Sequence, residues 1–390
     1  MTQLRLGVTA AGFCTFINLY APQALLPTLA EEFGASLQRT GLTVTATLIA
    51  VALVAPFVGG LSDALGRRRL ILGASLFLTL PTVLAGLAPG LDLLILCRFL
   101  QGLLLPFIFA VTVAYIAEEC PGAEAIRVTG LYGIGTIVGG FSGRFIAGWT
   151  TEIAGWRAAV LILAAVTLLC TAVIAATLPR ERQFRPVRSW RGQVAGFADQ
   201  FGNKQVMATC AVGFAVLFSM IATFTYVSFY LAAPPFGLGP AQLGSMFVVY
   251  LMGAVATPVA TQLVLRFGRR RTALLAAVVA SGGLLLTLAP WLPAILVGLG
   301  IVAAGIFTEQ VLSMGYVAAA ARRSRSTAVG LYVTSYYVGG SLGGVLPASI
   351  WHHFGWPGCV ALVLGVQAAA ILVTQWAWPR YVPLRSPGPT

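Results

Sequence analysis

The chain has 390 residues, of which 58% are hydrophobic and only 9% charged, and its net charge is +13. A soluble domain carries about 25% charged residues, so this composition cannot cover a water-exposed surface and excludes an ordinary soluble protein. The six cysteines, Cys14, Cys97, Cys120, Cys170, Cys210 and Cys359, form no CxxC pair; they read as small packing residues and not as a disulfide framework or metal site.

Twelve apolar stretches follow one another, at 7–30, 40–61, 70–88, 92–116, 128–149, 157–178, 206–230, 241–265, 272–290, 293–321, 328–350 and 358–379. Each has roughly the 20 residues that cross ~30 Å of hydrocarbon as a helix. The predicted fold class is an all-α membrane protein with twelve transmembrane helices. Transmembrane strands would show short alternating segments instead. The first stretch runs past signal-peptide length into Glu31-Glu32, so it reads as a span and not as a cleaved leader.

Along the chain, span one contributes Asn18, Tyr20 and Gln23. Span four contributes Arg98 and Gln101; an arginine within a span is costly unless it meets water or a partner, so it either snorkels to the interface or serves a polar centre. Span five is glycine-rich and carries Arg144 toward its outer end. Its guanidinium either attracts an anionic group on a substrate or reaches the headgroups. Span seven carries Phe214, Phe218, Tyr226, Phe229 and Tyr230, and span eleven Tyr332, Tyr336 and Tyr337. Phe218, Tyr226, Tyr332 and Tyr336 share helical faces, which makes them cavity candidates, although such aromatics also serve packing and interface belts. Span ten holds Glu309 and Gln310, and Glu309 is the one acidic residue placed well within a span. A buried carboxylate is either a switchable proton site or a permanent fastener between helices. His352 and His353 fall in an outer loop and make a weak metal signal.

The chain also repeats itself. At an offset of 200, Gly130-Leu131-Tyr132, Val138-Gly139-Gly140, Gly143 and Gly155-Trp156 match Gly330-Leu331-Tyr332, Val338-Gly339-Gly340, Gly343 and Gly355-Trp356. Gly66-Arg67-Arg68-Arg69 is likewise answered by Gly268-Arg269-Arg270-Arg271. A duplicated apolar unit is a common plan of secondary transporters, with the substrate site between the halves. The predicted organisation is a first six-helix bundle (1–178), a basic linker (179–205), a second six-helix bundle (206–379) and a proline-rich, disordered tail (380–390). The linker reads either as a solvated topology anchor or as an amphipathic surface helix through Trp190, Val194 and Phe197.

Of the 24 basic residues, 20 fall on one set of alternating loops and the termini, two (Arg39, Arg157) on the other set, and two (Arg98, Arg144) inside spans. That asymmetry places the basic face and both termini in the cytoplasm and argues against nucleic acid as a partner. No phosphate loop, HExxH or Ser/His/Asp set is present, so no enzyme, cofactor or metal is expected.

Three motifs carry a family resemblance. The loop Gly59-Gly60-Leu61-Ser62-Asp63-Ala64-Leu65-Gly66-Arg67-Arg68-Arg69 is similar to the Gly-x-Leu-Ala-Asp-Arg-x-Gly-Arg-Lys loop of the major facilitator superfamily, with Ala64 where arginine is usual. Arg98-Phe99-Leu100-Gln101-Gly102 is similar to that family's Arg-x-x-Gln-Gly element. Gly135 to Arg144 resembles its antiporter signature, with Gly140 for the proline and Arg144 for the last glycine. The chain thus resembles the major facilitator superfamily over nearly its whole length, and within it the YnfM-type and arabinose-efflux-type permeases. The resemblance implies two pseudo-symmetric six-helix bundles around a central cavity in a bacterial inner membrane. It implies a conformational latch of Gly59, Asp63, Gly66, Arg67 and Arg68, with Asp63 meeting the start of span eleven near Thr327. It implies proton coupling through Arg98 and Glu309 facing each other across the cavity. The absence of an acid in span one disfavours cationic drugs.

The expected function is secondary active export of small organic molecules by proton-coupled antiport. Alternatives are a symporter or facilitator importing a metabolite or organic anion, and a non-transporting membrane sensor. The expected partners are a small-molecule substrate, protons and membrane lipid, with the chain a monomer.

Overall fold

The computed structural model describes residues 2–181, 200–321 and 325–378, apart from the side chains of Asp63, Ala123, Thr257 and Ser326. The Asp63 latch, the linker helix at 190–197 and the 380–390 tail therefore fall outside the described groups. The described residues are mainly helical, joined by short turns, and none of them is in a strand.

The first span is broken, consisting of Thr2–Leu19, a 3-10 turn Ala21–Ala24 and a short helix Leu26–Glu32. Spans two, three and four are Leu37–Leu65, Arg67–Gly86 and Leu91–Glu119. Spans five and six form one helical run, Gly122–Thr177, folded back at Gly155. The second half repeats the plan. Span seven is Lys204–Ala232, and span eight is Pro240–Met246, a 3-10 segment Phe247–Leu251 and Met252–Phe267. Spans nine and ten are Arg269–Leu286 and Leu292–Ala320. Spans eleven and twelve form the run Arg325–Ala377, folded back at Gly355. Twelve crossings result. Only seven helices pass as apolar spans on length and mean hydropathy, because span one is broken, span eight is bent, span nine is only 18 residues long with three opening arginines included, and each folded run holds two crossings.

The sequence reading is corrected at the connections after spans five and eleven. Neither is a loop. The helix continues to residue 154 or 354 and turns on one glycine, with φ of 82° at Gly155 and 57° at Gly355. His352 and His353 accordingly lie in the last helical turn before Gly355, exposed to the surroundings. Pro357 then falls in the first turn of the returning arm, where its missing N–H costs nothing.

The glycines of span five exist for close approach to span one. A methyl on Gly139 or Gly143 would come within 2.6 or 2.3 Å of the carbonyl oxygens of Phe13 and Ile17. In the second half the same contacts join spans eleven and seven, with Gly339 and Gly343 set against Phe214 and Phe218. Small residues let backbones meet where no hydrophobic drive exists between helices in lipid.

The arginine triplets tie each half together. Arg67 donates to the Glu118 carboxylate on span four (2.6 Å from Nη2) and to the Ser62 hydroxyl. Arg68 reaches the end of span six, donating to the carbonyls of Leu178 (2.7 Å) and Ala175 (2.9 Å). In the second half Arg269 stacks over the Tyr316 ring of span ten and Arg270 donates to Gln375 of span twelve. Two members of each triplet are therefore internal clamps as well as charges at the membrane surface. Large exposed apolar side chains cluster on spans three, six, nine and twelve (Phe77, Leu80, Leu169, Val278, Leu372, Trp376), which form the lipid-facing skin. Span seven is the opposite case, buried at every residue from 215 to 229.

Candidate substrate site between the halves

The site begins with a proline. In a continuous helix the Asn18 carbonyl would accept from the N–H of residue 22, but residue 22 is proline and has none. The Leu19 carbonyl would accept from Gln23, whose N–H instead bonds the Tyr20 carbonyl in the 3-10 turn (3.1 Å). Arg98 supplies the donors, from Nη1 to Asn18 O (2.9 Å), from Nη2 to Leu19 O (2.7 Å) and from Nε to Thr43 O (3.1 Å). Gln101 accepts from Arg98 and donates to Thr82 (2.9 Å). Asn18 donates to Thr167 (2.8 Å) on span six. Asn18, Arg98 and Gln101 thus form one buried network inside the first half. It fixes the break in span one, and the break turns Tyr20 and Gln23 toward span five.

There they meet Arg144, which is 0% exposed. Its Nε and Nη2 both donate to Gln23 Oε1 (2.9 and 2.5 Å), and Nη1 donates to the Gly140 carbonyl (2.6 Å). Three rings lie against the guanidinium: Tyr20 of span one at 4.8 Å, and Phe247 and Tyr250 of span eight at 4.5 and 4.3 Å. Among the described residues no carboxylate reaches it. Desolvating an unpaired charge costs several kcal/mol, and three desolvated cation–π contacts at up to about 2 kcal/mol each offset that cost. The Tyr250 hydroxyl is buried without a hydrogen-bond partner. Gln23 Nε2 donates across the midline to Thr225 of span seven (3.1 Å).

Phe247 and Tyr250 are the site residues that motif reading missed, while Tyr20 was noted in span one without a role at the site. The signal available was the spacing of Phe247 and Tyr250, three apart on one helical face. What hid them was the 3-10 segment that aims both rings at Arg144.

The halves meet most closely at the end opposite the arginine triplets. Two seams run there, span five on span eight and span two on span eleven. A methyl on Gly244 would lie 2.6 Å from the Arg144 carbonyl oxygen, and a methyl on Gly41 would lie 2.6 Å from that of Gly344. Arg144 and Gly344 are equivalent positions in the repeat. Thr45 donates to Ser341 O (3.0 Å), Trp149 to Ser245 (3.0 Å), and the Glu152 carboxylate accepts from the N–H of Ala241 (3.4 Å).

The remaining expected site residues distribute as follows. Tyr226 donates to the Gly344 carbonyl (3.0 Å), and Phe218 stacks on Phe214, so both are packed within the second half. Tyr332 shares a hydrogen bond with Ser313 (2.8 Å) and stacks on Tyr336. Tyr336 meets Tyr337, which contacts Phe109 of the first half at 5.9 Å, so span eleven brings aromatics to the midline. Gln310 is half-buried. Glu309 lines a small internal cavity of the second half with Val212, Ala273, Ala277, Ala370 and Thr374. It faces Gln367 of span twelve; neither its carboxylate oxygens nor the Gln367 amide has a hydrogen-bond partner within bonding geometry. Arg98 and Glu309 are therefore set in different halves, each among its own bundle's side chains, and do not face each other in this conformation.

The Major Facilitator Superfamily model matches residues 8–233 and 213–389, one match for each half. The chain is 31% identical over 373 residues to the inner membrane transport protein YnfM of Escherichia coli K12, covering 95% of this chain and 89% of that protein. It is 26% identical to a transporter of Buchnera aphidicola subsp. Schizaphis graminum, over 95% and 90% of the two chains. Among solved structures, a bacterial homolog of the human lysosomal transporter Spinster superposes with a TM-score of 0.79 at 15% identity, over 98% of both chains. The nucleoside transporter NupG superposes with a TM-score of 0.77 at 13% identity, over 96% of this chain and 100% of that one; at such identities the likeness is one of fold. The duplicated bundle, the polar centre at its midline and these matches place the chain in the major facilitator superfamily, as a multi-pass membrane transporter and not an enzyme.

Proposed function

We propose that this transporter exports small organic molecules in exchange for protons, by alternating access of a central site walled by Arg144, Gln23 and the rings around them. The observation that carries the reading is the pair of glycine seams at one end of the molecule. The seams close on bare backbone at Gly41 and Gly244 with only a few hydrogen bonds across them, such as Thr45 to Ser341 and Trp149 to Ser245, so the halves can part and re-form as rigid bodies, which alternating access requires. With the basic loops and both termini in the cytoplasm, the closed seams face outward, so a substrate would load from the cytoplasmic side. The setting is a bacterial inner membrane, with the chain working as a monomer.

Glu309 is the proposed proton carrier. An intramembrane carboxylate is expensive unless it is neutral or paired, and Glu309 lies in the second half without a cation partner among the described residues. Protons would then act at a place separate from the substrate centre. The test is flux in proteoliposomes under an imposed pH gradient. Glu309→Gln is expected to abolish gradient-driven accumulation while leaving counterflow of substrate intact. Gradient-driven transport that survives the substitution rejects the proton role.

A second reading, uptake or facilitated passage of an organic anion, is favoured by the uncompensated charge of Arg144. The direction of accumulation under an inward or outward pH gradient separates the two.

A further inference from the structure

The internal repeat acts as a control for Arg144. A methyl on Gly41 would lie as close to the carbonyl oxygen of its counterpart Gly344 as a methyl on Gly244 would to that of Arg144, 2.6 Å in each case. One seam closes with no side chain at this position, so the guanidinium of the other is not required for closure. It is nevertheless kept fully buried, with rings on its faces and, among the described residues, no acid beside it. A feature that packing does not need, and that costs free energy to bury, calls for a ligand.

We propose that Arg144, Gln23 and Tyr250 form the receptor for a carboxylate carried on a flat, apolar, preferentially aromatic body. The assignment rests on the reading of the central site as the substrate site. Gln23 Oε1 sits on the Nε–Nη2 edge of the guanidinium, the edge that a carboxylate grips with two parallel hydrogen bonds. Arg144 and Gln23 belong to the same half and stay together when the seams part. Phe247, Tyr250 and Thr225 belong to the other half and withdraw. Parting therefore opens the faces of the guanidinium, releases the Gln23 amide from Thr225 and leaves a cation among aromatic walls. The Tyr250 hydroxyl, buried now without a partner, supplies a further donor when the halves close on the ligand. The rings of Tyr20, Phe247 and Tyr250 already accommodate one planar group, the guanidinium itself, and extend the same surface to a planar substrate. A cationic substrate would meet the repulsion of the guanidinium and compete with it for the same ring faces.

The experiment uses the purified full-length protein, with binding measured by calorimetry and thermal shift. The probes are benzoate, phenylacetate and 2-naphthoate, each against its neutral amide, and benzyltrimethylammonium. The acids are expected to bind, with the larger ring tightest, and the amides about tenfold or more weaker. Arg144→Gln is expected to lose roughly tenfold or more of the acid affinity, and Arg144→Lys to recover part of it. Both variants are checked for a monodisperse elution profile, and Tyr250→Phe provides a milder second variant, expected to weaken acids and not amides. Amides or the ammonium binding as well as the acids overturns the proposal, as does undiminished acid binding by folded Arg144→Gln, or no binding by any acid. Flux of a neutral or cationic solute in liposomes without acid binding sinks only the anion assignment; absence of flux for every solute sinks the transport reading itself.

Discussion

Arg98 takes up the carbonyl that Pro22 leaves without a donor. The same guanidinium serves the Leu19 carbonyl and also bonds the Thr43 carbonyl of span two, so one side chain completes the break in span one and ties it to span two. The repeat again supplies a comparison. The spans Leu91–Glu119 and Leu292–Ala320 have the same length, 29 residues, and Leu299 stands where Arg98 does. Span seven, which corresponds to span one, is unbroken there and needs no donor. Arg98→Leu should therefore leave the buried Asn18 and Leu19 carbonyls without a donor, at about 1–3 kcal/mol each, and lower the thermal midpoint by many degrees in a fluorescence-detected elution assay. Arg98→Lys should rescue little, since an ammonium cannot span three acceptors in the guanidinium's fixed fork. A heat-stable Arg98→Leu protein would show that the arginine serves only transport.

The glycine seams predict a conformational bias. Leucine at Gly41 or Gly244 would put a side chain where 2.6 Å is available to a facing carbonyl oxygen, and overpacking of this kind costs about 1–3 kcal/mol. If the halves alternate as proposed, with the seams formed in one state only, that cost should fall on the state closed at the end opposite the basic loops and shift the equilibrium by roughly 5- to 150-fold. In a cysteine-free background, a single Thr225→Cys reporter should become reactive to a membrane-impermeant maleimide added from the side opposite the basic loops. An unchanged labelling rate with Gly244→Leu would mean that the seams do not gate the site.

How far the sequence could be read depended on which facts were local. The repeat around Gly139 and Gly339 was legible as a duplicated unit, and the structure gives the reason: a backbone contact that demands glycine leaves the same residue in both copies. The motif around Gly66 anticipated the turn, and the structure adds that Arg67 and Arg68 clamp their own half. The buried arginines were visible as charges inside apolar runs. Their partners were not, because Arg98 bonds backbone carbonyls freed by a proline 76 positions earlier, and Arg144 meets rings delivered by a 3-10 segment that hydropathy does not register. The pairing of Arg98 with Glu309 failed for a related reason. Span position was legible, but the face of span ten that carries Glu309 turns toward Ala277 and Gln367, and only tertiary packing decides that.

Two ion pairs at opposite ends should differ in worth. Arg67 and Glu118 meet at 2.6 Å with the arginine side chain 8% exposed, whereas Arg39 and Asp92 meet at 2.5 Å with side chains 56% and 84% exposed. Exposed pairs contribute about 0–1 kcal/mol, so Asp92→Asn should leave the thermal midpoint within a degree or two. Glu118→Gln should cost about 1–3 kcal/mol because Arg67 is left buried with a weaker acceptor. Equal midpoints for the two variants would refute the distinction. High salt should shrink the small effect and leave the larger one.

Gly155 and Gly355 offer the cleanest backbone test. Each turns a helical run back across the bundle with positive φ and extended ψ, at 82° and 163° for Gly155 and 57° and −148° for Gly355. That region is essentially closed to residues with a β-carbon, at a cost of order 1–3 kcal/mol. Neither position is crowded: a methyl on Gly155 has no heavy atom within 4 Å, and one on Gly355 meets only Pro357 Cδ at 3.9 Å. The loss from Gly155→Ala and Gly355→Ala would thus be conformational and not steric. The two turns lie in separate halves and share no partner, so their effects should add within about 0.5 kcal/mol. Thermal unfolding of the single and double variants measures this. A double variant as stable as the parent would require both hairpins to turn by another route, with Trp156 and Trp356 displaced from their buried positions.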